Sequence, residues 1–161
     1  MHSEHFIIDG DFLRQISHKN IIAVGTTSLR TLESLYWIGV KILWGTITKP
    51  TEVIIDQWYP YEEDSDISPA EAMQAVEGFM TKYRLDELEA ITGIIIVPGY
   101  KFRMVTGLIT NFHMPGSTLL LLVAAFIGDK WKDVYRYALE NDFRFLSYGD
   151  SSLLLPNSSI I

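Results

Sequence analysis

The chain contains no cysteine. Disulfides and thiolate metal sites are therefore excluded, and a reducing compartment is compatible with the composition. Positive charge is scarce: 13 Lys and Arg stand against 20 Asp and Glu, a formal charge of −7. That balance favours solubility and argues mildly against a large nucleic-acid surface. Long hydrophobic runs are also missing. The longest, Leu119–Ile127, has nine residues. A membrane span needs about 20, so the run is expected to be a buried core helix. The N-terminal MHSEHFIIDG has neither the basic segment nor the apolar stretch of a signal peptide. A soluble cytoplasmic protein with no membrane association is the expectation. What the 161 residues do contain is 48% hydrophobic side chains, with four Trp, eight Tyr and eight Phe. This suffices for one domain with one sizeable core dominated by aromatic area.

Periodicity suggests alternating strands and helices. Met1–Ile8 reads as extended, and Asp9 or Asp11 caps a short helix reaching Lys19. Ile21–Val24 reads as a strand closed by Gly25. A helix follows to about Ile38, with Gly39 as its stop. Asp56–Asp66 (DQWYPYEEDSD) reads as an exposed loop. Ser68-Pro69-Ala70-Glu71 has the form of a capping box that opens an amphipathic helix. A second short helix is expected over Leu85–Ala90, and buried or half-buried strands over Ile94–Val97 and Phe102–Met104. Gly107 marks a bulge or a close approach. Ser117 or Thr118 caps a Leu-rich helix stopped by Gly128. Trp131, Val134, Tyr135, Ala138 and Leu139 define one more amphipathic helix. Phe143–Leu146 is expected to be a last strand, and Pro156–Ile161 a flexible tail. The predicted fold is α/β, a three-layer α/β/α-like domain with a short mixed or parallel sheet.

Four groups of residues carry chemistry. Gly25-Thr26-Thr27-Ser28-Leu29-Arg30 follows a strand and opens a helix, where free N–H groups attract anions. Arg30 either grips a carboxylate or phosphate through two parallel bonds or pairs with Glu33 on the helix surface. Thr110-Asn111-Phe112-His113-Met114-Pro115 is a polar turn between buried elements. His113 either transfers protons near neutral pH or holds the turn through a neighbouring carbonyl. Phe112 or Met114 can pack on a planar or sulfur-containing ligand. His2-Ser3-Glu4-His5 has metal-ligand residue types, but an extended strand places His2 and Glu4 on one face and His5 on the other, so no metal is expected. In Ser147-Tyr148-Gly149-Asp150, Asp150 either orients a ligand group or serves an ordinary turn. The acidic run Glu62, Glu63, Asp64 and Asp66 is assigned no chemistry. No Walker lysine and no GxGxxG is present.

Taken in order, MHSE, AVGTTSLRTLES, PGYKF, GLITNFHMPGSTLLLLVAAFIG and FRFLSYGD resemble the S-adenosylmethionine:tRNA ribosyltransferase-isomerase family of queuosine biosynthesis. The resemblance covers most of Met1–Leu155, with a family-variable insertion at about 43–89. Thr106, Gly116 and Ser151-Ser152 depart from the family's usual residues. The resemblance implies transfer and isomerisation of the ribosyl part of S-adenosylmethionine, the co-substrate. The acceptor is tRNA bearing 7-aminomethyl-7-deazaguanine at the wobble position, and epoxyqueuosine is the product. No metal is implied. Asn111, His113 and Arg30 are the implied catalytic residues. Thr26, Thr27, Ser28, Ser117, Thr118, His2, Glu4, Tyr148 and Asp150 are the implied substrate-binding residues. Family members are about twice as long, so residues 1–155 correspond to a C-terminal α/β portion without the family's inserted β-barrel. Such a piece is expected to turn over little alone, and surface otherwise covered is a candidate for self-association. The alternative class is a non-catalytic α/β module that binds a nucleotide or a protein.

Overall fold

The computed structural model describes residues 3–17 and 20–156. Its strands are β1 (Glu4–Asp9), β2 (Ile21–Val24), β3 (Ile54–Ile55), β4 (Glu87–Thr92), β5 (Val105–Asn111) and β6 (Ser151–Leu154). Its helices are α1 (Gly10–Ile16), α2 (Thr26–Leu43), α3 (Tyr59–Glu62), α4 (Pro69–Tyr83), α5 (Thr118–Ile127) and α6 (Trp131–Glu140). The α/β class expected from the alternation is the one observed, but the strands form two small mixed sheets. In the first, of order β1-β4-β3, β1 runs antiparallel and β3 parallel to β4. In the second, of order β2-β5-β6, β2 runs parallel and β6 antiparallel to β5. No barrel forms among the described residues.

The division has a local cause. Ile94–Val97 is buried at Ile94, Ile95 and Ile96, as its composition requires, yet it joins no ladder. Side chains and a loop take its backbone groups instead. Arg30 Nε donates to Ile94 O at 2.9 Å and Tyr61 Oη to Ile95 O at 3.1 Å. Val97 N donates to Tyr61 Oη at 2.9 Å, and Ile95 N to Gln57 O at 3.1 Å. Buried backbone groups need partners, but not strand partners. The expected strand at Phe102–Met104 is likewise irregular, and β5 begins at Val105.

Helix α2 is the centre of the molecule. It touches both sheets and α4 and buries nearly every residue from Leu29 to Lys41, as a helix surrounded by protein must. It does not stop at Gly39. A Cβ on Gly39 would lie 2.2 Å from Ala72 O of α4, so this glycine permits close helix packing inside α2 rather than ending it. Helix α4 starts as expected: Ser68 and Glu71 form the reciprocal capping box, and Pro69 occupies the first turn. Asp9 caps α1, accepting from Phe12 N at 2.7 Å.

Three further expectations are corrected. Of Leu85–Ala90, residues 87–90 open β4 rather than forming a helix, because β1 pairs with them, and β3 joins further on at Ile91 and Thr92. Asp56–Asp66 is not a plain exposed loop: it holds α3, and Ser65 is buried, receiving a bond from Tyr36 Oη at 3.1 Å. Phe143–Leu146 forms no strand. Leu146 has φ 64° and donates to Phe112 O at 2.8 Å, and the last strand lies further on, at β6. Among the described residues, no helix is long and apolar enough to cross a membrane.

Candidate substrate site at the ends of two parallel strands

Strands β2 and β5 are parallel neighbours, and each delivers a polar segment at its carboxyl end. Ligands of open α/β sheets settle at such ends. After β2, Gly25 turns the chain with φ 90° and donates to Ile109 O at 2.8 Å, tying the start of α2 to β5. Gly25 itself occupies the cap position of α2, and no side chain caps the helix. Thr26, Thr27 and Ser28 are therefore not spent on capping. They form the first turn, whose N–H groups have no partners within the helix.

After β5 the chain turns at Phe112–Gly116. Phe112 anchors this turn from below, with ring centroids 5.5 Å from Tyr135, 5.5 Å from Phe143 and 5.6 Å from Phe145. It is buried, so the expected packing of Phe112 on a ligand is not what the structure shows. Met114 is exposed on the far side. His113 is fixed twice: its backbone N donates to Tyr135 Oη at 3.0 Å, and its Nε2 lies 2.9 Å from Thr110 Oγ1. Half-burial pushes its pKa below the ordinary histidine value, because desolvation disfavours the imidazolium. At neutral pH the ring is uncharged.

Between these segments lies an open cavity of about 450 Å³. Thr26, Thr27 and Ser28 form one wall, Thr110, Asn111 and His113 the other, and Ser151 of β6 closes one end. The volume lies in the range of small-molecule sites, which runs from about 300 to 1,000 Å³. The two longest motifs in the sequence thus meet in one place.

Other expected residues lie elsewhere. Arg30 does not line the cavity. It is 3% exposed, with Nη1 on Glu4 Oε1 at 2.6 Å and Nε on Ile94 O. Its Nη2 has no hydrogen-bond partner among the described residues, but the guanidinium does not face the cavity, and its carboxylate partner is Glu4 rather than Glu33. Glu4, half-buried, belongs to this pair and does not line the cavity either. Ser117 is the α5 cap, accepting from Leu120 N at 3.3 Å and donating to Met114 O at 2.8 Å. Thr118 opens α5. Tyr148 is exposed. Asp150 accepts from Arg144 N at 2.6 Å and from the Arg144 guanidinium at 3.0 Å. The Arg144 side-chain bond, with the backbone bond beside it, draws the Asp150 carboxyl down to about 2. Asp150 therefore straps the 144–150 loop, which is the turn reading of that segment. His2 lies outside the described residues.

Sequence reasoning missed two members of the neighbourhood. Thr110, in β5 three residues before His113, is placed to reach the ring. Ser151 stands where the sequence departs from its expected pattern, yet it pairs with Asn111 across β5 and β6.

A strand–turn–helix cleft with a helix start on one wall is where α/β sheets commonly hold small ligands. The comparisons with known proteins identify the lineage. The profile of the family described as "Queuosine biosynthesis protein" matches residues 1–154, and the chain belongs to that family. A relative from Halothermothrix orenii named S-adenosylmethionine:tRNA ribosyltransferase-isomerase is 36% identical over 96% of this chain. One of the same name from Novosphingobium aromaticivorans is 38% identical over 97%. The chain spans about 35% of the length of each. The crystal structure of the S-adenosylmethionine tRNA ribosyltransferase of Thermotoga maritima is similar at a TM-score of 0.57 and 27% identity, over 94% of this chain and 40% of that one.

Proposed function

We propose that the β2–β5 cleft is part of an S-adenosylmethionine site, and that the chain serves the ribosyltransferase-isomerase reaction on tRNA for which its relatives are named. The observation that carries this reading is the meeting of Thr26–Ser28 with Asn111 and His113 across one cavity. The acceptor is tRNA bearing 7-aminomethyl-7-deazaguanine at the wobble position, and the product is epoxyqueuosine, with adenine and methionine released. The helix start at Thr26–Ser28 supplies N–H and hydroxyl donors to the polar groups of the ligand. Asn111 both donates and accepts, which suits a purine edge or ribose hydroxyls.

His113 is the proton-transfer group in this reading. Three needs arise in the chemistry: removal of a proton from carbon 5′, which lies next to a sulfonium; a neutral attacking amine; and a proton for the departing adenine. A histidine that is uncharged at neutral pH can accept a proton, and once protonated it can return one. In the tautomer whose Nε2–H donates to Thr110 Oγ1, Nδ1 carries the free lone pair, and in this reading the exchange falls to it. The chain's charge of −7 does not suit the phosphate neutralisation that tRNA affinity requires. In this reading the phosphate contacts come from sequence outside these 161 residues.

Free adenine released from S-adenosylmethionine and the modified tRNA tests the proposal. The chain is assayed beside a full-length relative from Halothermothrix orenii. Replacing the histidine that matches His113 by Ala in that relative is expected to slow adenine release by about 100-fold or more. Near-normal release would remove the role of His113, and no release by either wild-type form would remove the enzyme reading. Calorimetry that shows nucleotide binding by this chain, with no adenine release from either form, would favour the non-catalytic module.

A further inference from the structure

Two motif residues have no task in the cleft, Glu33 of AVGTTSLRTLES and Tyr100 of PGYKF, and they meet inside the molecule. Glu33 is fully buried on α2. Its Oε2 accepts from Tyr100 Oη at 2.9 Å and from Arg103 N at 3.0 Å. Its Oε1 accepts from Met104 N and Val105 N, each at 3.0 Å. Trp37 Nε1 in turn donates to Tyr100 Oη at 3.1 Å. The four groups around the carboxylate are all donors. A carboxylate, which only accepts, satisfies all of them, whereas a carboxamide carries one accepting oxygen and turns donors towards donors.

A buried carboxylate is a costly way to hold a fold together, and apolar packing usually does so at lower cost. What this one secures is position. Two of the three N–H groups it takes, those of Arg103 and Met104, lead into β5, and the third belongs to Val105, its first residue. There the β2–β5 pairing starts opposite Ile21 and then slips between Ile21 and Ile22. Glu33 also lies two helical turns, about 10 Å, beyond Thr26. One side chain therefore ties the helix that presents Thr26–Ser28 to the root of the strand that presents Asn111 and His113.

We propose that Glu33 is a positioning residue: it fixes β5 against α2 and so sets the spacing of the two walls of the cleft. The consequence for S-adenosylmethionine rests on the reading given above, while the placement of the walls does not.

The test compares wild-type chain and Glu33→Gln by two-dimensional amide NMR and by titration with S-adenosylmethionine. The amides of Thr26–Ser28, Asn111 and His113 are expected to shift or broaden, while Ile7 and Glu89, in the other sheet, keep their positions. S-adenosylmethionine affinity is expected to fall at least tenfold. A residue that serves stability alone would lower the unfolding midpoint and leave the cleft amides where they were, and that result overturns the proposal. If Glu33→Gln does not fold, Tyr100→Phe removes a single donor and decides the same question. Smaller shifts at Asn111 and His113 support positioning, and superimposable cleft amides overturn it. A wild-type chain that binds no S-adenosylmethionine would sink the ligand reading, and the amide comparison would still decide on Glu33.

Discussion

At the scale of single residues, His113 shows how burial sets chemistry. Desolvation lowers its pKa in the folded chain, so the unfolded chain takes up the proton first as pH falls. Between the unfolded value of about 6.5 and the lower folded value, the unfolded state holds more protons, and stability falls as pH falls. An NMR titration of the imidazole should give a midpoint below 6.5, and urea midpoints should drop on going from pH 7 to pH 5 by less in His113→Gln than in wild type. A midpoint at or above 6.5 would mean that the ring is better solvated than its place beside Thr110 and Tyr135 implies. The histidine was legible in the sequence because a polar turn between two apolar runs has few places to be. Glu33 was not. An acidic residue one turn after Arg30 on a helix reads as its surface partner, and only the path of residues 100–105 shows that four donors converge on it. The pairing of Arg30 was hidden for the same reason, since its partner is Glu4, 26 residues away, rather than Glu33.

Among the elements, α2 offers the sharpest contrast between propensity and packing. Replacing an exposed helical glycine by alanine stabilises by about 1 kcal/mol. At Gly39 the new methyl would meet the Ala72 carbonyl of α4 at 2.2 Å, and backbone cannot swing aside as a side-chain tip can. Overpacking of this kind costs roughly 3 kcal/mol. Gly39→Ala should therefore lower stability by about 2 kcal/mol net in urea denaturation; a gain would show that α4 yields freely. The same contest explains which elements the sequence displayed. The capping box at Ser68–Glu71 is local chemistry, and it was readable. Leu85–Ala90 consists largely of good helix formers, yet from Glu87 it supplies β4, because pairing with β1 along its length outweighs tenths of a kcal/mol per residue of propensity. Gly107 was readable as a close approach: a Cβ there would lie 3.0 Å from Ile22 and 3.2 Å from Leu155.

At the scale of the whole molecule, one face of the second sheet is uncovered among the described residues. Ile22 and Val24 of β2, Leu153 of β6 and Leu155 just after it are 50, 66, 57 and 58% exposed. Parallel pairs such as β2–β5 are ordinarily covered on both faces, so this face is suited to apolar contact. Burying the exposed half of four such side chains on each of two copies contributes about 1 kcal/mol per side chain, or about 8 kcal/mol. Association itself costs at least about 4 kcal/mol. The balance of about 4 kcal/mol corresponds to a dissociation constant near 1 mM, before the repulsion between two chains of charge −7 is counted. Weak self-association is thus expected at sub-millimolar to millimolar concentration, growing stronger as salt screens the charge. Static light scattering across a concentration series at low and high salt measures it directly. Val24→Lys with Leu153→Lys should abolish the rise in mass while leaving the core residues Ala23 and Leu154 untouched. A wild-type chain that stays monomeric under all these conditions would show that the apolar face is tolerated in water as it stands.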